Sequence, residues 1–249
     1  MRRGNAENIA LGARVNATVN HLDTMSLRRR RKTLIAWSSG KDSAWALREA
    51  HRAGDYDIVG AVTTVTDGFA RVSMHGVREA LLRAQLGATG LPARIVRIPY
   101  PCPNEIYERE MAAAIAQATA DGVTHMIFGD LFLQDIRDYR ERQLAGTGIT
   151  PVFPLWLKPT DVLAREMIDG GLEAHLAVVD LKKLPREFAG RRFDIDLLAA
   201  LPAGVDPCGE NGEFHSFVSA GPMFARKIVV TAGETVERDG FAFADLVAR

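Results

Sequence analysis

This sequence contains few cysteines and no long apolar run. Two cysteines in 249 residues cannot form a disulfide framework. No apolar segment approaches the roughly 20 residues that a membrane-spanning helix needs. No secretory apolar segment is evident, so we expect a protein of the reducing cytoplasm without a membrane partner. The spacings C-x₂-C and H-x₃-H are also absent, which argues against a zinc site.

Charge is balanced overall but unevenly distributed. The formal net charge is zero, yet residues 1–32 hold eight basic and two acidic residues, a net charge of about +6. This segment has little hydrophobic periodicity, and we expect a flexible basic extension. A nucleic-acid-binding arm and a targeting peptide are the functional alternatives. The remaining length suffices for one large α/β domain, or for one domain with a small appendage.

The most informative stretch is LIAWSSGKDS, residues 34–43. An apolar strand stops at a turn of small residues, and a helical pattern follows at once. A helix N-terminus of this kind binds phosphate, because its backbone N–H groups and its partial positive charge point at the anion. Lys41 adds a full positive charge, Gly40 lets the backbone approach closely, and hydroxyls can donate further hydrogen bonds. Those hydroxyls belong to Ser38, Ser39 and Ser43.

The loop is not the common nucleotide-binding motif G-x-x-x-x-G-K-[ST]. Ile35 stands five positions before Gly40, and Asp42 follows Lys41. A kinase-like or GTPase-like protein is therefore not favoured.

Strands and helices alternate along the first part of the chain. We predict strands at 33–37, 57–64, 94–98, 125–128 and 173–179, and helices at 44–53, 77–86, 105–118 and 160–168, the last with Thr160 as its cap. Such alternation predicts a mainly parallel sheet, which binds ligands at the carboxyl ends of its strands. Later strands are predicted at 227–231 and 241–246. We predict a parallel-sheet domain with the phosphate-binding loop over 33–150 and a smaller α+β substrate domain over 151–249.

Further candidate site residues follow the predicted strands. Gly129 and Asp130 end the fourth strand, where glycine permits close approach of a ligand. Arg137 and Arg140 come next, and a guanidinium pairs well with phosphate oxygens, but spacing does not choose between them. His75 opens a predicted helix and is a candidate for contact with a phosphate or a base.

The segment Asp206–Val218 is the second strong signal. Its carboxylates Asp206, Glu210 and Glu213 lie beside His215 and are interleaved with apolar residues. Carboxylates in a partly buried loop can hold Mg²⁺, recognise an amine or act as a base. Cys208 with His215 also raises the alternative of a nucleophilic thiol.

These motifs together resemble a known family. The loop is similar to the SGGKDS pyrophosphate loop of the ATP pyrophosphatase superfamily, with Ser39 where glycine is usual, so we expect a negative φ there. Within that superfamily, the chain resembles the diphthine–ammonia ligase family, also described as adenine-nucleotide α-hydrolase-like. The matching segments are SSGKDS at 38–43, FGD at 128–130, PLW at 154–156, FAGRRFD at 188–194, DPCGENGEFHSFV at 206–218 and GPMF at 221–224.

The resemblance implies a Rossmann-like, HUP-type parallel-sheet domain with a smaller C-terminal α+β domain. It implies a ligase that uses ATP and Mg²⁺, adenylates a carboxylate on a small molecule or a protein side chain, and amidates it with ammonia. In that family the substrate is diphthine on elongation factor 2. Lys41 and the loop would bind the departing pyrophosphate, and Asp42 or Asp130 would be a Mg²⁺ ligand. Glu210, Glu213 and His215 would orient the substrate or the amine.

Two other functions stay open at this point. One is a tRNA-modifying ATP pyrophosphatase that adenylates a base; the basic extension favours it, but no basic-aromatic surface pattern supports nucleic-acid binding. The other is a non-catalytic ATP-binding regulatory module. A homodimer is an open alternative to a monomer.

Overall fold

The computed structural model describes residues 30–68, 71–72 and 76–249, of which Arg31–Arg249 form one compact unit. The predicted basic extension falls outside the described residues except at its end, where Arg31 and Lys32 begin the first strand instead. His75 also lies outside the described residues.

A mainly parallel sheet, sheet A, forms the first half of this unit. Its strands are β1 (Arg31–Ala36), β2 (Tyr56–Thr66), β3 (Arg71–Val72), β4 (Ala93–Ile98), β5 (His125–Ile127) and β6 (Thr150–Val152). The order is β3-β2-β1-β5-β6, with β4 also paired to β2. Within the described part of sheet A, only the short β3 is antiparallel to its neighbour. The predicted parallel sheet is thereby confirmed.

Helices connect these strands and cover the sheet. They are α1 (Lys41–Ala53), α2 (Glu79–Thr89), α3 (Asn104–Ala120), α4 (Gln134–Leu144), α5 (Thr160–Asp169) and α6 (Ile195–Ala200), with a 3-10 turn at Arg186–Phe188. Alanine and leucine side chains on α1 are buried against one face of sheet A, and Met111 and Ile115 of α3 pack against the other. Burial of these apolar faces, rather than helix propensity, holds the helices in place.

The strand order places a topological switch point beside β1. The chain leaves β1 for β2 on one side, and it later returns to β5 on the other. The loops after β1 and β5 therefore diverge at the carboxyl edge of the sheet and leave a crevice between them. The loop 38–40 and the segment 128–130 border this crevice.

A second sheet, sheet B, is antiparallel and lies over the same edge. Its strands are β7 (Glu173–Asp180), β8 (Phe214–Ala220), β9 (Val230–Arg238) and β10 (Phe241–Ala248), in the order β8-β7-β10-β9. The amide of Val218 in β8 donates a hydrogen bond of 3.0 Å to the carbonyl of Ser39. This long-range bond joins sheet B to the loop after β1. The domain boundary predicted near residue 150 stays a prediction. Strands β1 to β5 of sheet A precede this position, and β6 begins at it.

Three local predictions are wrong. Thr160 is the first residue of α5 rather than its cap, a position that Pro159 occupies. The strand predicted at 227–231 begins only at Val230. The second motif, interpreted as a partly buried loop, ends in strand β8. No alternation of apolar and polar residues indicates this strand, because Ser216 and Phe217 are both buried. Within the described residues, no helix combines the length and apolarity needed to cross a membrane.

Candidate active site

A cavity of about 570 Å³ lies at the crevice beside β1. The loop after β1, the segment after β5 and the second motif all contribute to its wall. Of the residues predicted from sequence, it is lined by Ser38, Lys41, Asp42, Ser43, Gly129, Asp130, Arg140, Glu210 and His215. The fold thus joins two motifs that are more than 160 positions apart in the chain.

The hydroxyl groups of the loop are held close to one another. The hydroxyls of Ser38 and Ser43 lie 3.1 Å apart, and the Ser38 hydroxyl accepts from the amide of Gly40 at 3.3 Å. Gly40 is the N-cap of α1, so these groups surround the positive end of the helix. Hydroxyls can rotate and donate instead to an anion. The loop therefore has the donors that a polyphosphate requires.

Ser39 departs from the rest of the loop. Its φ is +72°, so the expected negative value is wrong. The residue is fully buried, and its hydroxyl has no hydrogen-bond partner among the described residues. Its side chain does not line the cavity, so Ser39 contributes backbone rather than a hydroxyl to the site. The position has the left-handed conformation that glycine adopts most easily.

Lys41 is the most buried charge in the site, with 2% of its side chain exposed. Its ammonium donates to the Asp42 carboxylate at 2.8 Å and to the carbonyl of Cys208. The rings of Phe214 and Phe193 lie 5.3 Å and 5.8 Å from it, close enough for cation–π attraction. Burial alone would lower the pKa of Lys41, but the neighbouring carboxylates raise it above its ordinary value. Lys41 therefore keeps its charge inside the protein.

Two residues that sequence analysis missed fix the loop to sheet B. Gln85 of α2 is fully buried and donates to the carbonyls of Ser39 and Val218 at 3.0 Å and 2.6 Å, while it accepts from the Trp37 indole at 3.1 Å. The Ser216 hydroxyl accepts from the amide of Lys41 at 3.1 Å. Gln85 could have been found as the one polar residue on an otherwise apolar helix face.

The segment after β5 completes the opposite wall. A Cβ added to Gly129 would lie 2.7 Å from the backbone carbon of Asp42, so only glycine lets this segment touch the start of α1. Arg140 lies 3.4 Å from the Asp130 carboxylate and lines the cavity. Arg137 instead pairs with Glu141 at 2.8 Å and does not line the cavity. Of the two candidate arginines, Arg140 is at the site.

Glu210 is the second-motif carboxylate that faces the cavity. It accepts a hydrogen bond of 2.8 Å from the amide of Leu131, which ties the motif to the segment after β5. Burial raises its pKa to about 7, and the charges of Asp42 and Asp130 act in the same direction. A carboxyl group with this pKa exchanges a proton readily near neutral pH.

The other two carboxylates, those of Asp206 and Glu213, accept hydrogen bonds from within the motif. The Asp206 carboxylate accepts from the amide of Glu210 at 2.9 Å, and the Glu213 carboxylate accepts from Asn211 at 3.2 Å. Glu213 is buried, does not line the cavity, and leaves one oxygen without a partner among the described residues. Its contacts hold the motif in shape.

His215 and Cys208 are both uncharged here. Burial, with a smaller contribution from Lys41, lowers the pKa of His215 to about 4. Burial raises the pKa of the Cys208 thiol far above neutral, and the thiol contacts the carbonyl of Thr160 at 3.4 Å. The thiolate needed for the nucleophile alternative is therefore disfavoured.

The residues of the site fit a magnesium ion that also binds phosphates. One oxygen of Asp42 is buried without a hydrogen-bond partner among the described residues, and burial raises the pKa of the Asp130 carboxyl. A bound cation would relieve both penalties. The described residues contain no cluster of three or more acidic, histidine or cysteine side chains suited to a metal.

The fold and this site define a Rossmann-like α/β protein whose ligand edge is covered by a second, antiparallel sheet. Comparison with known families shows which proteins this chain is similar to. Residues 159–245 match the model of the diphthamide synthase C-terminal domain. This match agrees with the resemblance seen in the motifs: the C-terminal part of the chain is similar to the diphthine–ammonia ligase family.

Individual relatives support the same relationship. Proteins named diphthine–ammonia ligase from Danio rerio and Homo sapiens are 34% and 33% identical over 110 and 103 residues, which is 42% and 39% of this chain. One from Schizosaccharomyces pombe is 33% identical over 94 residues, 36% of this chain. The matched parts span 43%, 38% and 16% of those three proteins, less than half of each.

Proposed function

We propose that the protein is an ATP-dependent ligase that forms AMP and pyrophosphate, adenylates a carboxylate and amidates it with ammonia. The observation that carries this proposal is that both motifs line one cavity, where Lys41 donates a hydrogen bond to the second motif. The relatives are named for joining diphthine and ammonia, so diphthine is the first acceptor to test.

The loop after β1 would bind the β- and γ-phosphates of ATP. The hydroxyls of Ser38 and Ser43 lie at the positive end of α1 and can donate to phosphate oxygens. Asp42 and the Cys208 carbonyl accept from Lys41, which leaves the third ammonium N–H for a phosphate. Arg140 can add charge from the opposite wall.

The first chemical step would be attack of a substrate carboxylate oxygen on the α-phosphorus. The bond from phosphorus to the bridging oxygen breaks, and pyrophosphate leaves with the electron pair. Lys41 would stabilise the charge that develops on this leaving group. Asp42 and Asp130 would hold Mg²⁺, which when bound supplies further neutralisation of phosphate charge.

In the second step, ammonia would attack the acyl carbon and AMP would leave. The nitrogen must lose a proton as the amide forms, and we infer that Glu210 accepts it. Two observations support this role: Glu210 lines the cavity, and burial raises its pKa to about 7. His215 stays neutral and can orient the acyl group or the amine without adding charge. Glu213 would act indirectly, because its hydrogen bonds hold the motif in its conformation.

Product analysis tests the proposal. The full chain is incubated with ATP, Mg²⁺, ammonium and elongation factor 2 that carries diphthine, and nucleotides are separated by chromatography. AMP and pyrophosphate in equal amounts, dependent on both ammonium and acceptor, are the expected products. ADP and phosphate, or tight ATP binding without any AMP, would overturn the proposal and favour another ATP-dependent activity or a regulatory module.

A further inference from the structure

Leu157 has two features that are unusual for a leucine. Its φ is +58°, a left-handed conformation that glycine adopts most easily, and 68% of its surface is exposed. It lies in the turn after β6 (residues 153–158), directly after the PLW segment at 154–156, which does not line the cavity. Packing of an exposed side chain does not explain a strained backbone, so the explanation lies in what the backbone of Leu157 contacts.

Contacts on either side of Leu157 hold this turn in place. Leu155 is fully buried, and the amide of Trp156 donates to the carbonyl of Phe153 at 3.2 Å. The Trp156 ring lies 5.9 Å from the Phe153 ring and 4.8 Å from the Arg137 guanidinium, within reach of cation–π attraction. After Leu157 the chain enters α5, whose apolar face is buried. A strained residue persists where its surroundings fix it in this way.

The amide of Leu157 contacts the segment after β5. It donates a hydrogen bond of 2.7 Å to the carbonyl of Leu131. Leu131 is fully buried, and its own amide donates to the Glu210 carboxylate at 2.8 Å. One residue therefore links Leu157 to Glu210, and both backbone polar groups of that residue are in use. Since α5 is packed on the core, a change to a negative φ at Leu157 would turn its N–H away from Leu131.

Strained backbone borders the cavity on both walls. Three non-glycine residues in the described part of the chain have a positive φ, namely Ser39, Leu157 and Asp239. Ser39 belongs to the loop after β1, and Leu157 supports the segment after β5 on the opposite wall. Asp239 lies in the turn between β9 and β10, where a tight hairpin ordinarily requires a left-handed residue. Only the first two therefore need an explanation at the site.

We propose that Leu157 is a positioning residue: its left-handed backbone holds Leu131 in place, and the Leu131 amide keeps the Glu210 carboxylate directed into the cavity. This inference rests on the proposed function, in which Glu210 accepts a proton from the amine. The PLW segment supplies the anchors that keep the strained residue in position. Leu157 itself does not contact the substrate.

The first test measures the backbone and does not depend on catalysis. Leu157→Val places a β-branched residue at the left-handed position, whereas Leu157→Asn keeps the shape of leucine and tolerates this conformation. Hydrogen exchange of the Leu131 amide is followed by NMR. Exchange should be at least about tenfold faster in Leu157→Val than in the wild type, and it should stay slow in Leu157→Asn. Equal exchange in all three proteins would overturn the proposal.

The second test measures amide formation with elongation factor 2 that carries diphthine. Leu157→Val should lower kcat by about ten- to a hundredfold with little change in the KM for ATP, because Glu210 is displaced and the phosphate-binding loop is not. Leu157→Asn should keep the wild-type kcat. In a Glu210→Gln background, Leu157→Val should have no further effect, since it acts through Glu210. An equal reduction in both backgrounds would contradict the positioning role.

The matched control is Asp239→Val. It places the same β-branched residue at a left-handed position, with a φ of +54°, in an exposed turn that does not line the cavity. This variant should lose stability to urea as Leu157→Val does, yet keep the wild-type kcat and the slow exchange of the Leu131 amide. An equal loss of kcat in both valine variants would show that backbone strain in general lowers activity, and would overturn the role of Leu157.

The two tests separate this inference from the proposed function. Fast Leu131 exchange in Leu157→Val, with no AMP formation by the wild type under any condition, would refute the proposed function but keep the link from Leu157 to Leu131. Unchanged Leu131 exchange in Leu157→Val, with AMP formation by the wild type, would do the reverse.

Discussion

The ammonium group of Lys41 donates a hydrogen bond to the backbone carbonyl of Cys208, 167 positions further along the chain. The start of α1 and the second motif are thereby one structural unit. The amide of the same lysine donates to Ser216, so both ends of the residue bind the C-terminal part. Lys41 is thus a structural residue as well as the proposed phosphate ligand, and its two roles can be separated by experiment.

Replacing Lys41 should cost both stability and activity. Lys41→Met leaves the Asp42 carboxylate without its partner, and we expect a loss of about 2–4 kcal/mol in the free energy of unfolding. AMP formation should fall by about a hundred- to a thousandfold, because a donor to the developing charge is lost. Urea denaturation and the AMP assay measure the two effects. Lys158→Met, which removes a lysine paired with surface carboxylates, should change stability by less than about 1 kcal/mol.

A double variant distinguishes the two roles of Lys41. Lys41→Met with Asp42→Asn leaves no unpaired charge, so most of the lost stability should return. Activity should stay low, since neither a cation nor the Asp42 carboxylate is present. Recovery of AMP formation to near the wild-type rate would show that Lys41 acts only on the fold.

Adding one methyl group to Gly129 should displace the start of α1. The new Cβ in Gly129→Ala would lie 2.7 Å from the carbon and 2.8 Å from the nitrogen of the Asp42–Ser43 peptide bond. Because these neighbours are backbone, the overlap should cost about 1–3 kcal/mol and weaken ATP binding. Gly87→Ala is the matched control, since Gly87 lies within α2 with no atom within 4 Å of the added Cβ. That control should gain about 0.5–1 kcal/mol, and equal ATP affinity in both variants would contradict the role of Gly129.

Ionisation of Glu210 should make stability depend on pH. Its pKa is about 7 in the folded protein against 4.5 ordinarily, so between these values the unfolded chain releases its proton first. The wild type should therefore lose stability as pH rises through this window, and the loss should be complete above it. Glu210→Gln cannot ionise but can still accept from the Leu131 amide. Its stability relative to the wild type should rise between about pH 5 and about pH 8 in urea denaturation.

The same variant tests the proposed proton transfer. Wild-type AMP formation should increase with pH as Glu210 loses its proton near pH 7. When the concentration of free NH₃ is held constant across the pH range, Glu210→Gln should be slow and lack this rise. A pH profile that keeps its rise near neutrality in the variant would assign the titration to another group.

The left-handed backbone at Ser39 should be a source of strain. Ser39→Gly accepts a φ of +72° without cost and removes the unpartnered hydroxyl, so we expect a gain of about 1 kcal/mol in the free energy of unfolding. Ser39→Ala removes the hydroxyl but keeps the Cβ, and it should gain less. If thermal denaturation shows alanine equal to or better than glycine, backbone strain at this position is negligible.

Local pattern was sufficient to predict most of the elements. The predicted strands and helices of sheet A match the observed ones to within a few residues, because β-branched runs and helical periodicity depend on short-range preferences and on which face is buried. Local pattern was insufficient to predict β8, because both faces of that strand are covered. It also did not predict the short β3 and β6, which exist only through their pairing with β2 and β5.

The sequence by itself determined the chemistry of the site: small hydroxyl-bearing residues, Gly40 and Lys41 before a helix, with carboxylates in a second motif. Only the tertiary structure decided which of these candidate residues lie together at the cavity. It brought Arg140 rather than Arg137 and Glu210 rather than Glu213 to the cavity, and it turned the Ser39 hydroxyl away. These choices depend on contacts between residues far apart in the chain, such as Lys41 with Cys208, and no local pattern encodes the distance between them.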